Sequence, residues 1–400
     1  MNVLLRSVAV SIAALAMAMP ANAADAVKIG AIYALTGGGA VAGSDAMRGT
    51  ELAIAELNAA GGLKNHGGAQ VELVKADSQS KPVNAVGEAE RLVNQDKVAI
   101  VLGAATSNET IPLSQVLEKY KTPHINAIPQ QAALTDGTLK WTWSTTLIDA
   151  DYVTGILQAL EMIHQVDPKL TKVAVLCPDN EYGIEMGKLL KVKLAERKDL
   201  TLTAFIEYGA QAQDLLQPAL KVKASRPDVV IQVGYFRAGV LASRAYEQLD
   251  FHPIVIGTGG MSGDAKLRAE IGKLVQWQFA VTPFSGDTPN AKRLGEAFAK
   301  KFNQPLTLNS ALGYFGTVVA LRALNNAKDF SAKAVSDALH QVKIGKDEMI
   351  TSSDYLEFDA NGRNKGRDTT ITQFQGDQLV TVWPRNKASA KPVLKAFNTP

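Results

Sequence analysis

The stretch that decides the fold covers residues 97–112 and reads KVAIVLGAATSNETIP. Its first half is a short apolar run with β-branched residues, which is typical of a buried parallel strand. Small residues then form a corner, and the polar residues after it open a run with apolar positions at helical spacing. The pattern predicts a strand that delivers a loop to the N-terminus of a helix.

Ser107 stands where the N-cap of this helix is expected, with Thr106 before it and Thr110 three positions on. The unpaired N–H groups of a helix N-terminus carry partial positive charge, so the corner can hold a small anion such as a carboxylate. The plainer interpretation is that Ser107 only caps its own helix. At this point both interpretations stay open.

The first 23 residues have the parts of a secretory signal peptide. Arg6 precedes an apolar run at 8–19, and the run is followed by Pro20 and by Ala21-Asn22-Ala23, an A-x-A cleavage site. The apolar run is too short for a comfortable membrane anchor. We therefore expect residues 1–23 to be removed near Ala23 and the mature protein to be exported to the periplasm.

Composition limits the function classes. The 42 basic and 39 acidic residues are interspersed and give a formal net charge of only +3, so no nucleic-acid partner is expected. Hydrophobic residues at 46% are ample for folded cores, and 400 residues suggest about two domains. The single cysteine, Cys177, ends an apolar run and is interpreted as a buried strand residue.

From residue 27 onward, short apolar runs alternate with helical patterns. This alternation predicts doubly wound parallel sheets with right-handed crossovers. An extended connector rich in Trp and Thr at 141–151 interrupts the pattern, which then starts again. We therefore predict two α/β lobes with a cleft between them. Near the C-terminus, the turn pair Asn361-Gly362 predicts a hairpin.

Catalytic motifs are lacking from the sequence, which has no H-E-x-x-H, no G-x-S-x-G and no Walker loop. One weak signal is Gly37-x-Gly39-x-x-Ala42 with Asp77 at the end of the next strand, which loosely matches a dinucleotide-binding fingerprint. Residues 41–45 lengthen that turn beyond the tight corner that a pyrophosphate needs. A nicotinamide-dependent enzyme is therefore kept only as a remote alternative, and no cofactor is expected.

Six motifs follow one another along nearly all of the mature sequence: VKIGAIYALTG at 27–37, MRGTELAIAELNAAGGL at 47–63, the Ser107 corner, DNEYG at 179–183, VGYF at 233–236 and FDANG at 358–362. In type, order and spacing they resemble those of the periplasmic solute-binding proteins of branched-chain amino acid ABC importers, which have the type I two-lobe fold.

This resemblance implies a non-enzymatic, monomeric receptor that traps a small-molecule ligand and hands it to the permease subunits of an ABC importer. It also implies a hinge that the chain crosses several times. On that pattern we assign 24–147 plus 281–348 to the N-terminal lobe, 148–280 plus 349–390 to the C-terminal lobe and 391–400 to a loose tail. A sensor of the same fold, acting on a signalling partner, is the alternative.

The resemblance also implies ligand contacts. In that family the ligand carboxylate is held by a Ser hydroxyl, a backbone N–H and a hydroxyl side chain, at positions matching Ser107, Ile128 and Gln130. Gln130 replaces the hydroxyl with a longer amide, which can still donate. Aromatic residues matching Tyr182 and Tyr235 close over the ligand from the far lobe.

Two departures from that family concern specificity. The Glu that usually binds the ligand ammonium matches Gly259, and Ala42 lies near the place of an aromatic wall. A buried ammonium without a carboxylate partner is strongly unfavourable. We therefore favour an amine-free or aromatic carboxylate or amide. Asp149 at the lobe connector is a possible substitute partner, which keeps branched-chain amino acids open, and Arg237 is a candidate contact for a second acidic group.

Overall fold

The computed structural model describes residues 26–395, in which short strands alternate with helices along most of the chain. In chain order the strands are β1 (Val27–Tyr33), β2 (Val71–Asp77), β3 (Ile100–Gly103), β4 (His124–Asn126), β5 (Thr142–Ser144), β6 (Lys172–Pro178), β7 (Thr201–Tyr208), β8 (Val229–Gln232), β9 (Ile254–Thr258), β10 (Phe279–Thr282), β11 (Lys343–Ile344), β12 (Leu356–Glu357), β13 (Thr370–Gln375) and β14 (Gln378–Trp383). The helices are α1 (Ala40–Ala59), α2 (Pro82–Asn94), α3 (Ser107–Tyr120), α4 (Asp149–Val166), α5 (Glu181–Glu196), α6 (Leu216–Ala224), α7 (Phe236–Gln248), α8 (Gly259–Ser262), α9 (Lys266–Ile271), α10 (Pro289–Phe302), α11 (Leu308–Asn326) and α12 (Ala332–His340).

The first sheet has five parallel strands in the order β2-β1-β3-β4-β5. Its helices cover both faces, since Met47 of α1 packs in one core with α11 and Leu113 of α3 packs in another with α2. The strand order reverses between β1 and β3, so the loops that leave these two strands diverge and open a crevice. In open α/β sheets, ligands bind in this crevice.

Helix α1 packs closely against α11. A Cβ atom at Gly49 would lie 2.0 Å from the carbonyl oxygen of Ser310, and one at Gly313 would lie 2.4 Å from that of Ala46. Only glycine permits two backbones to approach so closely. The long motif at 47–63 thus fixes the helix layer that carries the Gly-rich loop in front of α1.

The second sheet has seven strands in the order β14-β13-β10-β9-β8-β6-β7. Strands β6, β7, β8, β9 and β10 are parallel to one another. At the β10 edge, β13 pairs antiparallel with β10, and β14 pairs antiparallel with β13. Cys177 of β6 is buried in its core, as predicted, and burial raises the pKa of its thiol to about 12. The two-lobe α/β architecture predicted from the sequence is confirmed.

We propose that the chain crosses between the two lobes three times, at 145–148, next to residue 283 and at 365–369, because the residues on either side of these points pack in different cores. Met349 and Phe358 pack in the core of the first lobe, and Arg363 forms a bridge with Ser144 of β5. We therefore propose that the N-terminal lobe extends to about residue 364 and does not end at 348.

Other local expectations also need correction. The tail expected to be loose from 391 is tied to the second sheet, because Val393 exchanges two hydrogen bonds with the Gln373 side chain, at 2.8 and 3.0 Å. The pattern at 264–271 predicts a helix, and α9 forms there over Lys266–Ile271, with the short helix α8 (Gly259–Ser262) before it. The turn at Asn361-Gly362 exists, but it closes only a single bridge between Phe358 and Asn364. The expected signal peptide (1–23) and the last residues of the expected tail (396–400) lie outside the described residues 26–395.

Candidate functional site

A cavity of about 190 Å³ lies between the lobes, on the crevice of the first sheet. The first lobe contributes the Gly-rich loop before α1, the start of α3, the loop after β4 and the start of α11. The second lobe contributes the starts of α5 and α7, the loop after β7, and α8. Six of the eight predicted ligand-binding residues line the cavity: Thr106, Ser107, Ile128, Gln130, Tyr182 and Tyr235. Asp149 and Gly259 do not.

The corner after β3 forms as predicted, but the cap is displaced by one residue. Thr106 is the N-cap of α3 in an extended conformation, and Ser107, predicted as the N-cap, is the first helical residue. No side-chain hydrogen bond caps this N-terminus. Ser107 is only 2% exposed yet lines the cavity, so its hydroxyl and the first N–H groups of α3 form a polar, positively polarised surface there.

Glu109, in the first turn of α3, holds this corner and was missed by the sequence analysis. It is completely buried, and its carboxylate accepts hydrogen bonds from the hydroxyls of Thr106 and Ser78. A carboxylate in the first turn also interacts favourably with the helix dipole. Because the Thr106 hydroxyl proton is used inside the protein, Thr106 can only accept from a ligand, and Ser107 is the hydroxyl that remains available to donate.

The loop after β4 brings Ile128 and Gln130 to the same wall. Asn126 fixes this loop by donating its side-chain N–H to the Pro129 carbonyl oxygen at 2.7 Å. The backbone oxygen of Gln130 accepts from the N–H of Asp149 at 2.9 Å, which ties the loop to the start of α4. The side-chain oxygen of Gln130 is buried without a partner among residues 26–395. This oxygen therefore retains the capacity to accept a hydrogen bond from a ligand.

Tyr182 and Tyr235 form an aromatic wall on the second lobe. Tyr182 lies in the first turn of α5, whose N-cap Asn180 accepts from the N–H of Gly183 at 3.1 Å. The two rings lie 5.4 Å apart between centroids, inclined at 39°. Burial raises the pKa of both phenols, so each stays a neutral donor at physiological pH. The sequence analysis placed both rings in the cleft, and both line the cavity.

The lobes contact each other across the cavity. The Tyr235 hydroxyl lies near the Ser107 side chain of the opposite lobe, which lowers the Tyr235 pKa slightly against the larger effect of burial. A Cβ atom at Gly38 would lie 3.3 Å from the side-chain oxygen of Gln211. The cleft is therefore in a closed arrangement. The Ser107 corner and the wall formed by Tyr182 and Tyr235 line the same cavity from opposite lobes.

Asp149 is the first residue of α4 and lies behind the cavity wall. It is 4% exposed, and its Oδ1 atom has no partner in the described part of the chain. Burial, with smaller contributions from the charges of Glu185 and Asp151, raises its pKa to about 7. The helix dipole favours the charged form by less than about 1 kcal/mol, which is too little to reverse the effect of burial. The carboxyl group is thus partly protonated near neutral pH.

The position matched to an ammonium-binding Glu does not face the cavity. A Cβ atom at Gly259 would lie 2.8 Å from Leu308 Cδ2 and 3.0 Å from Thr282 Oγ1, whereas its neighbour Gly260 lines the cavity. Neither Gly259 nor its cavity-lining neighbour Gly260 carries a carboxylate. Among the lining residues that the structure describes, Arg237 alone carries a formal charge. Its guanidinium donates to the side-chain oxygen of Gln213.

Asp77 has a structural task in this chain. Its Oδ1 atom accepts from the N–H groups of Leu35 and Gln79, both at 2.8 Å, and its Oδ2 atom accepts from the Thr36 hydroxyl at 2.8 Å. Desolvation is the largest single influence and raises the pKa of Asp77, but the hydrogen bonds together outweigh it, so the pKa is lowered overall. The carboxylate thus holds the Gly-rich loop in place. This structural role explains an aspartate at position 77 without any role in binding the ribose of a nucleotide.

Comparisons with known proteins agree with this geometry. The profile of the periplasmic binding protein family matches residues 26–378. The Leu/Ile/Val-binding protein homolog 7 of Brucella melitensis is 31% identical over 396 residues, covering 94% of this chain and 96% of the relative. Within residues 26–395, no helix combines the length and apolar character needed to cross a bilayer.

Two solved structures share the fold. The branched-chain amino acid binding protein LivJ of Streptococcus pneumoniae, in complex with isoleucine, has a TM-score of 0.77 at 22% identity, covering 88% of this chain and 97% of that one. A solute-binding protein of R. palustris in complex with benzoate also has a TM-score of 0.77, at 15% identity, covering 92% of this chain and 98% of that one. The chain therefore belongs to the periplasmic binding proteins, the exported solute-binding proteins of ABC-type transport.

Proposed function

We propose that this protein binds a small carboxylate that lacks an α-amino group and delivers it to an ABC importer. The observation that carries the proposal is the distribution of charge around the cavity. The lining has an uncapped helix N-terminus, several neutral donors and the cation Arg237, but no carboxylate among its described members. Such a surface favours an anion over a zwitterion.

The carboxylate is proposed to bind at the Ser107 corner. The Ser107 hydroxyl and the N–H groups of α3 supply donors from one side, and the Ile128 N–H and the Gln130 amide supply them from the loop after β4. Hydrogen bonds from several neutral donors and a helix N-terminus are a common way to hold an anion without a paired cation. The Tyr235 hydroxyl, which lies near Ser107 in the closed arrangement, is a further donor to the same group.

An α-ammonium group would find neutral acceptors but no carboxylate partner among the described residues that line this cavity. Gly259, which matches the family's Glu, and its cavity-lining neighbour Gly260 both lack a carboxylate, and Asp149 lies behind the wall with its pKa raised to about 7. Transfer of an unpaired ammonium from water to such a site is unfavourable by several kcal/mol. Branched-chain amino acids are the competing ligand class, because the curated relatives are Leu/Ile/Val-binding protein homologs and Asp149 has an unpartnered oxygen.

The rest of the ligand is proposed to be apolar or aromatic. Small and apolar residues, Val41, Ala42, Leu308 and Leu312, face the tyrosines across the cavity. Offset or tilted contacts with the Tyr182 ring would favour a planar body. Tyr182 and Tyr235 reach the ligand only when the lobes close, so a bound ligand favours the closed form, which the permease subunits recognise.

The test is a calorimetric titration of matched pairs that differ only at the amine. Leucine is compared with 4-methyl-2-oxopentanoate, and phenylalanine with 3-phenylpropanoate, with benzoate as the smallest aromatic acid. We expect the amine-free member of at least one pair to bind at least about tenfold more tightly. Tenfold corresponds to about 1.4 kcal/mol, which is less than the desolvation cost of several kcal/mol for an unpaired ammonium. Tighter binding of leucine than of its keto analogue would refute the amine-free proposal.

Export and oligomeric state are part of the proposal. We infer that the chain is cleaved after Ala23 and works as a monomer in the periplasm. Mass spectrometry of the protein secreted with its own leader should give a chain that starts at Ala24. Light scattering should give the mass of one chain, and a stable dimer would contradict the monomer.

A further inference from the structure

Asp45 of α1 and Lys266 of α9 form an ion pair that joins the two lobes. The Lys266 ammonium lies 2.6 Å from Oδ1 and 2.8 Å from Oδ2 of Asp45. The carboxylate is 1% exposed and the ammonium side chain is 23% exposed. By contrast, the pair between Lys188 and Glu185 of α5 lies within one helix, with side chains that are 65% and 39% exposed.

The first lobe holds the Asp45 carboxylate in place before Lys266 reaches it. Arg48, one turn further along α1, donates to Oδ1 at 2.9 Å. Thr307, the N-cap of α11, donates its hydroxyl to Oδ2 at 3.0 Å. A side chain with both oxygens already oriented loses little conformational freedom when it accepts a further bond. The acidic half of the pair is therefore preorganised for its partner from the other lobe.

On the second lobe, Lys266 has an acidic neighbour, Asp264: burial and the charge of Asp45 raise the pKa of Asp264, and the backbone N–H and the charge of Lys266 lower it. Lys266 is the first residue of α9, and a cation at a helix N-terminus is opposed by the helix dipole. Its backbone N–H donates to Asp264 Oδ1 at 2.8 Å, and Asp264 is completely buried. The side chain thus leaves its own lobe to reach Asp45. A lysine that served only its own helix would extend into water.

We propose that Asp45 and Lys266 form an interlobe latch, a contact that favours the closed form before any ligand is bound. Opening the cleft separates the two side chains, while Asp45 keeps Arg48 and Thr307 as partners in its own lobe. A substitution that removes the Lys266 ammonium takes a charge partner from Asp45 only in the closed form, because the two side chains are already apart in the open form. It therefore destabilises the closed form alone. The latch therefore shifts the equilibrium between open and closed forms and slows ligand release.

The test uses protein without ligand, so it does not depend on the proposed ligand class. Spin labels are attached at Val83→Cys in α2 and Val192→Cys in α5, which are 73% and 58% exposed. The native Cys177 is buried and stays unlabelled. Pulsed electron resonance then measures the distribution of distances between the lobes, with and without Lys266→Met.

We expect Lys266→Met to raise the ratio of open to closed molecules on the order of tenfold, between the values typical of exposed and buried ion pairs. Lys266→Arg should restore most of the closed population, and Lys188→Met should leave the distribution unchanged. An unchanged distance distribution in Lys266→Met would overturn the latch. If Asp45→Asn folds, Lys266→Met should add little opening to it; full additivity of the two substitutions would also overturn the pairing.

Discussion

Replacing Asp149 with Asn tests the electrostatics of the hinge. Burial raises the pKa of this carboxyl group from its ordinary 3.8 to about 7. In the unfolded chain the group loses its proton near pH 4, whereas in the folded protein it keeps the proton to about pH 7. The folded state therefore binds more protons between these values, and its stability falls as the pH rises through this window.

The size of the effect follows from the shift. About three pKa units correspond to roughly 4 kcal/mol, and the dipole of α4 reduces this by up to about 1 kcal/mol. Asp149→Asn removes the ionisation, so the variant should match the wild type near pH 3, exceed it by about 1 kcal/mol at pH 4.5, where the unfolded carboxyl group is already mostly ionised, and exceed it by about 3 kcal/mol at pH 8. The free energy of unfolding is measured by urea denaturation at several pH values, with Glu296→Gln on the exposed face of α10 as the control.

The same substitution separates the two ligand classes. Above pH 7 the charged Asp149 lies close to the tyrosine wall and repels an anionic ligand, so the affinity for an amine-free acid should fall with rising pH in the wild type and stay level in Asp149→Asn. For a ligand with an ammonium group the trend should be the reverse. A stability difference between variant and wild type that is the same at pH 4.5 and pH 8 would refute the reasoning about burial.

Three further predictions concern the corner, the cavity mouth and the helix layer. Ser107→Ala should weaken the affinity for the best carboxylate by about 1.5–3 kcal/mol in calorimetry, with an unchanged melting temperature, because a hydrogen bond to a charged group is lost; unchanged affinity would place the anion elsewhere. Arg237→Met should lower the association rate of an anion in stopped-flow fluorescence and weaken its dependence on salt, and an unaltered salt dependence would exclude steering by this side chain. Gly49→Ala should lower the free energy of unfolding in urea by more than about 3 kcal/mol, because its Cβ would lie 2.0 Å from the Ser310 carbonyl oxygen. Gly87→Ala in α2 is the control: it has open space around it and should raise the free energy of unfolding by about 0.5–1 kcal/mol. Equal effects of the two substitutions would contradict the close packing of α1 and α11.

Local patterns were sufficient for much of the fold. The apolar run at 97–103 and the polar run after it predicted β3 and α3, because a buried strand and a helix start each have a characteristic residue pattern. The hairpin of β13 and β14 was missed, although the alternation in TITQFQ and QLVTVW around the pair Gly376-Asp377 indicates it. The expected N-cap at Ser107 was wrong by one residue, since Thr106 is an equally suitable cap.

Contacts between distant segments could not be predicted in this way. The two members of the latch are 221 residues apart, and nothing in the residues around Asp45 indicates Lys266 as its partner. Asp149 was identified as a carboxylate near the connector, but its raised pKa depends on burial and on the charges of Glu185 and Asp151, which only the folded chain brings together. The sequence also could not show that Gly260 and not Gly259 would line the cavity, because the side of the short helix α8 that each residue faces depends on its packing.

The most direct test of the central claim is a crystal structure of the protein with the tightest amine-free acid from the calorimetric panel. The ligand carboxylate should lie within hydrogen-bond distance of the Ser107 hydroxyl and the Ile128 N–H, with the Tyr182 and Tyr235 rings against the rest of the molecule. A carboxylate bound at Arg237 or outside the cleft, with Ser107 untouched, would contradict the account.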